Sequence, residues 1–203
     1  YQCTATIAGI GTIVSRRAQL KVAYLPKHFE AEPEDLFLAP GDTAAFECLI
    51  HGEPRAAISW YKGSLRLMPG PNMKVYPTGL LEIGPLSPSD YGTYACEAEV
   101  PGKSRTSRMA TLSQASANDA KLRGAPKFIM TPRNERIVKG ETIFLHCVAF
   151  GRDGEGRPPI ISWLKDGSTI VLGKNSTHVQ VIGAGTLVIT DVVESDAGVY
   201  TCR

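Results

Sequence analysis

The motif D-x-G-x-Y-x-C occurs twice, as Asp90 to Cys96 in "DYGTYAC" and as Asp196 to Cys202 in "DAGVYTC". The residues upstream repeat in the same register: Leu81 and Ile83 stand before Cys96 as Leu187 and Ile189 stand before Cys202. Each copy holds an earlier cysteine inside an alternating run. Ala44, Phe46, Cys48 and Ile50 share one face of "TAAFECLI", and Ile143, Leu145, Cys147 and Ala149 share one face of "TIFLHCVA". Alternation with period two argues for half-buried strands. A tryptophan follows on another short strand, Trp60 in "ISWYK" and Trp163 in "ISWLKDG". A chain that twice runs Cys, Trp, Leu-x-Ile, Asp, Tyr, Cys has few folds open to it.

Two antiparallel sheets packed face to face satisfy this order. A disulfide joins the second strand to the sixth, the tryptophan fills the core against the sulfurs, and the tyrosine hydroxyl turns back to nearby backbone. The fold class is therefore all-β, a tandem of immunoglobulin-like sandwiches, with bridges Cys48–Cys96 and Cys147–Cys202 and core residues Trp60, Trp163, Tyr94 and Tyr200. Cysteine separations of 48 and 55 residues leave room for one short strand between Trp60 and Leu81, which favours the intermediate set. Tyr1-Gln2-Cys3 repeats the end of the motif, so residues 1–24 read as the C-terminal tail of a preceding immunoglobulin-like domain, with Cys3 paired outside the chain. Residues 26–113 read as a complete domain, 114–125 as a linker, and 126–203 as a domain lacking its last strand. The linker is long for a tandem array and should let that joint bend, whereas "KVAYLPKHF" at the earlier joint has almost no spare residues.

Two paired bridges point to an oxidising compartment. The sequon Asn175-Ser176-Thr177 points the same way, marking Asn175 as a glycosylation site. A net charge of +2 is too small to argue for nucleic acid. No run approaches the roughly 18 apolar residues of a membrane span, so membrane anchoring is expected only through a segment outside this chain. His28, His51, His146 and His178 are scattered without partners at ligand or triad spacing, and Asp90 and Asp196 read as turn residues that fix the entry to the sixth strand. These patterns predict no enzyme, no metal site and no cofactor.

Charge is concentrated in one place. Lys103, Arg105 and Arg108 lie on the last hairpin of the first domain, and Lys121, Arg123 and Lys127 follow; between 101 and 127 they meet only Asp119. Such a stripe is suited to a sulfated polyanion such as heparan sulfate. Its bland counterpart is a charged strand edge that resists edge-to-edge pairing.

The run "YQCTATIAGIGTIVSRRAQLKVAYLPKHF" closely resembles the junction between the first and second immunoglobulin domains of the netrin receptor family, and the rest fits the second and third domains in order and length. The resemblance implies the extracellular side of a single-pass, non-enzymatic axon-guidance receptor. It also implies four immunoglobulin domains bent between the second and third, with fibronectin repeats beyond them. The expected partners are extracellular protein ligands of the netrin-receptor type, with the main netrin sites outside this chain, and heparan sulfate. "AFGRDGEGRPPI" departs from the family by a longer turn. Other readings of the same fold are a different adhesion or guidance receptor, a matrix enzyme carrying immunoglobulin modules, and an intracellular muscle-filament array.

Overall fold

The computed structural model describes residues 1–116, 126–151, 153, 157–172 and 176–203. Its regular elements are strands, apart from single 3-10 turns at Pro88–Asp90 and Glu194–Asp196. Strands β1 (Thr4–Ile7) and β2 (Gly11–Val14) form an antiparallel hairpin exposed on both faces. Cys3, just before it, is exposed and not disulfide-bonded.

The first sandwich contains β3 (Leu36–Leu38), β4 (Ala44–Phe46), β5 (Ala57–Lys62), β6 (Leu65–Arg66), β7 (Met73–Val75), β8 (Leu81–Ile83), β9 (Gly92–Val100), β10 (Lys103–Thr106) and β11 (Ala110–Gln114). One sheet runs β3-β11-β9-β5-β6 with β10 on the end of β9, and the other runs β4-β8-β7. Strand β11 pairs antiparallel with β9 and parallel with β3, so β9 lies in the middle of the sheet. The Cys48–Cys96 bridge joins the two sheets. Trp60 packs beside it at 1% exposure, and its indole N–H, which could not be left unpaired there, donates to the Gly79 carbonyl at 3.1 Å. Phe46 stacks on Tyr94 with centroids 5.0 Å apart. The Tyr94 hydroxyl donates to the Asp90 carbonyl, and burial pushes its pKa up to about 12.

The second sandwich repeats the plan. It contains β12 (Lys127–Met130), β13 (Ile143–Leu145), β14 (Val148–Phe150), β15 (Trp163–Lys165), β16 (Ser168–Thr169), β17 (Val179–Ile182), β18 (Thr186–Ile189) and β19 (Tyr200–Cys202). Its ladders are β12-β14, β13-β18-β17 and β16-β15-β19. Cys147 bonds to Cys202, Trp163 donates its indole N–H to the Gly185 carbonyl at 2.9 Å, and the Tyr200 hydroxyl donates to the Asp196 carbonyl at 2.7 Å. Tyr200 is only half-buried where Tyr94 is 1% exposed. The reason lies in the neighbours: among the described residues β19 pairs with β15 alone, while β9 has β5, β10 and β11.

Half-burial, the expectation for the "TAAFECLI" run, fails in β4, and its partner β8 is buried throughout as well. Every residue of both strands is buried, including Ala45 and Glu82, which alternate away from the sandwich core. Their outer face is covered by the second sandwich, whose β12 lies across β4. The chain therefore folds back at the joint and packs sheet on sheet.

Candidate interaction surfaces

The covered face is a small second core. Ala45, Tyr76, Leu80 and Val148 are buried together, with Ile129, Met130, Phe144, Ile182 and Ala184 packed against them. At its centre sits a carboxylate, Glu82, 6% exposed. One oxygen accepts the Ala184 N–H at 3.1 Å across the boundary and the other accepts the Tyr76 hydroxyl at 3.1 Å. A buried carboxylate is tolerated only when its lone pairs are met in this way. Burial, and then the adjacent Glu82 charge, hold the Tyr76 phenol well above its ordinary pKa.

Gly183 makes this approach feasible. Its φ is +59°, and a Cβ there would lie 2.3 Å from the Glu82 Oε1 and 2.5 Å from the Tyr76 hydroxyl oxygen. Beside it, His146 sets Nε2 2.7 Å from the Thr78 hydroxyl of the first sandwich and Nδ1 3.0 Å from the Thr186 hydroxyl of its own. At the rim Arg133 pairs with Glu47 at 2.8 Å. Burial raises the Glu47 pKa; Arg133 opposes that effect, and Glu30, Glu135 and Glu34 add to it. A cleft of about 620 Å³ opens there, lined by Glu30, Glu32, Glu34 and Glu47 and bounded by Arg108 and Arg133.

The basic edge is divided by its hydrogen bonds. Lys103 on β10 and Lys127 on β12 are exposed. Arg105 and Arg108, also exposed, each turn a guanidinium Nε–H onto backbone of the segment before β3: Arg105 donates to the Pro26 carbonyl, and Arg108 to that of Pro33 at 2.8 Å. The Arg108 backbone N–H donates to Glu32 at 2.9 Å. Two of the six cations thus fasten the domain's opening segment to β10 and its following turn. Lys121, Arg123 and the sequon Asn175 lie outside the described residues.

Asp90 and Asp196 serve the turns. Asp90 accepts the Ser87 N–H at 2.7 Å, and Asp196 accepts the Val193 N–H at 2.8 Å. Asp196 also meets His178 at 3.2 Å, a hydrogen bond that raises the imidazole pKa. His51 pairs with Glu30 at 2.6 Å on the surface, and His28 lines a shallow hollow beside Arg105. Among the described residues no group of His, Cys, Asp and Glu is arranged to hold a metal ion, and no helix is long and apolar enough to cross a membrane.

The sandwich-to-sandwich contact is the feature that strand patterning missed. A signal was present: in "TIFLHCVAF" the second face carries Phe144, Val148 and Phe150 around His146, so both faces are apolar. Two apolar faces mean two coverings.

The immunoglobulin I-set pattern matches residues 27–112, and a second immunoglobulin-domain pattern matches 125–203. The whole chain is similar to human netrin receptor DCC, at 34% identity. It is likewise similar to rat neogenin at 32% and human protogenin at 34%. It spans 14% of the first two relatives and 17% of the third. Among solved structures, one on Dscam isoform specificity matches 96% of this chain and 52% of its own, at 25% identity and TM-score 0.66. The immunoglobulin domains 1–4 of Sidekick-1 match 97% and 50%, at 22% and TM-score 0.54, which speaks to fold alone.

Proposed function

Because the chain belongs to the netrin receptor family, as part of its immunoglobulin region, we propose that it serves a single-pass guidance receptor at the extracellular side of the plasma membrane. In this reading it is a non-enzymatic module that sets receptor geometry and offers surfaces to extracellular protein ligands. The observation that carries the reading is the sheet-on-sheet contact around Glu82. It removes one face of each sandwich from contact with ligands and fixes the direction in which the rest of the receptor leaves. The faces of β5, β9 and β10, and the basic edge, stay outside it. Two disulfides and the Asn175 sequon suit an oxidising, glycosylating compartment.

The basic edge supports a second contact, with heparan sulfate. Lys103 and Lys127 are exposed, and Lys121 and Arg123 lie between them in the chain. Sulfates bind such cations as phosphates do, with strong salt dependence. The test is heparin-column retention of the whole chain against a variant with Lys103, Lys121, Arg123 and Lys127 changed to alanine, which leaves the two backbone-bonded arginines intact. The variant is expected to elute at clearly lower salt, with affinity down on the order of tenfold. Equal elution would remove polyanion binding and leave the geometric role.

A further inference from the structure

His146 sits in the sheet-on-sheet contact with a hydroxyl on each ring nitrogen, Thr78 across the boundary and Thr186 within its own sandwich. The Tyr76 ring stands edge-on to it, centroids 4.9 Å apart. A neutral imidazole has one donor and one acceptor, and two hydroxyls satisfy it in either tautomer. The same hydroxyls can accept from an imidazolium, but neither brings the countercharge that a half-buried cation needs.

Of the carboxylates nearby, Glu47 and Glu82 are already engaged, and the two ring nitrogens face hydroxyls rather than a carboxylate. Glu47 and Glu135 line the narrow hollow that His146 borders, together with Arg133, and Glu47 is bonded to that arginine. Glu82 is held by Tyr76 and by the Ala184 N–H. Burial lowers the His146 pKa to about 4, against 6.5 for the imidazole in water.

We propose that His146 makes the contact between the two sandwiches acid-labile, so that the sheets hold together at neutral pH and part when the imidazole takes a proton. The closed form has the depressed pKa. Its advantage over the open form is therefore complete above pH 6.5 and is lost as pH falls toward 4. Between about pH 7.5 and about pH 5 the equilibrium should move toward the open form by on the order of ten- to thirtyfold. The phenol of Tyr76 does not titrate in this window: its ordinary pKa of 10.0 already lies above it, and burial raises it further.

Hydrogen exchange on the whole chain tests this. The Ala184 amide is bonded across the boundary, so its protection factor, corrected for intrinsic rate, reports opening even when the open form is rare. The protection factor is expected to fall ten- to thirtyfold from about pH 7.5 to about pH 5, while amides of β18, bonded within one sandwich, hold theirs. In His146→Gln, which keeps a donor and an acceptor without titrating, this ten- to thirtyfold fall should vanish. The proposal is overturned by constant Ala184 protection, by an equal fall in the variant, or by β18 amides falling in step. An NMR titration of the wild-type imidazole needs no variant: a midpoint well below 6 supports the proposal, and one near 6.5 overturns it.

Discussion

Single side chains decide which cations of the basic edge are committed to the fold. Arg105 and Arg108 spend Nε–H groups on the Pro26 and Pro33 carbonyls, far away in sequence, whereas Lys103 projects from the same edge. Arg105→Ala should therefore cost about 1 kcal/mol in denaturant unfolding, the worth of a partly solvated charge-assisted bond. Lys103→Ala should stay within about 0.5 kcal/mol of the parent. Equal effects would mean the Arg105 bond contributes nothing. A count of charges along the sequence treats these residues alike, because a side chain's partner across the sheet edge is not encoded by its neighbours.

At the scale of elements, the turn from β17 to β18 controls how the sandwiches meet. Gly183 brings backbone against Glu82 and Tyr76 where no Cβ fits, and Ala184 donates the bond that follows. Gly183→Val puts a β-branched residue at φ +59°, a conformation costing about 1–3 kcal/mol, on top of the clash. The variant is expected to keep both sandwich cores, read by near-UV circular dichroism of Trp60 and Trp163, while small-angle scattering shows a larger radius of gyration. An unchanged radius would show that the contact tolerates a side chain there and does not depend on this turn.

For the whole molecule, the shared face couples the stabilities of two domains that each have their own core. Removing the second bridge with Cys147→Ser and Cys202→Ser should cost that sandwich about 4 kcal/mol in the loop-entropy view. Its loss uncovers Ala45, Leu80 and Glu82 on the first sandwich, whose melting should then fall by several degrees although its own bridge is intact. Calorimetry checks this: two separable transitions, with the first-domain transition unmoved, would mean the contact adds no stability.

The amino-acid sequence by itself determined the tandem sandwiches, the cores of Trp60 and Trp163 and the turns at Asp90 and Asp196. All of these follow from spacing and alternation within one domain, where contacts recur at fixed intervals. It also held, unread, the double apolar face of "TIFLHCVAF". Only the tertiary structure decided what covers that face. Glu82 with Ala184, His146 with Thr78 and Arg133 with Glu47 are pairs joined across two domains, and no period along the chain links them. Local sequence fixes which side of a strand is apolar, because alternation is a property of the backbone; which surface meets that side depends on how the chain bends between domains, and this is settled by the complementarity of two faces.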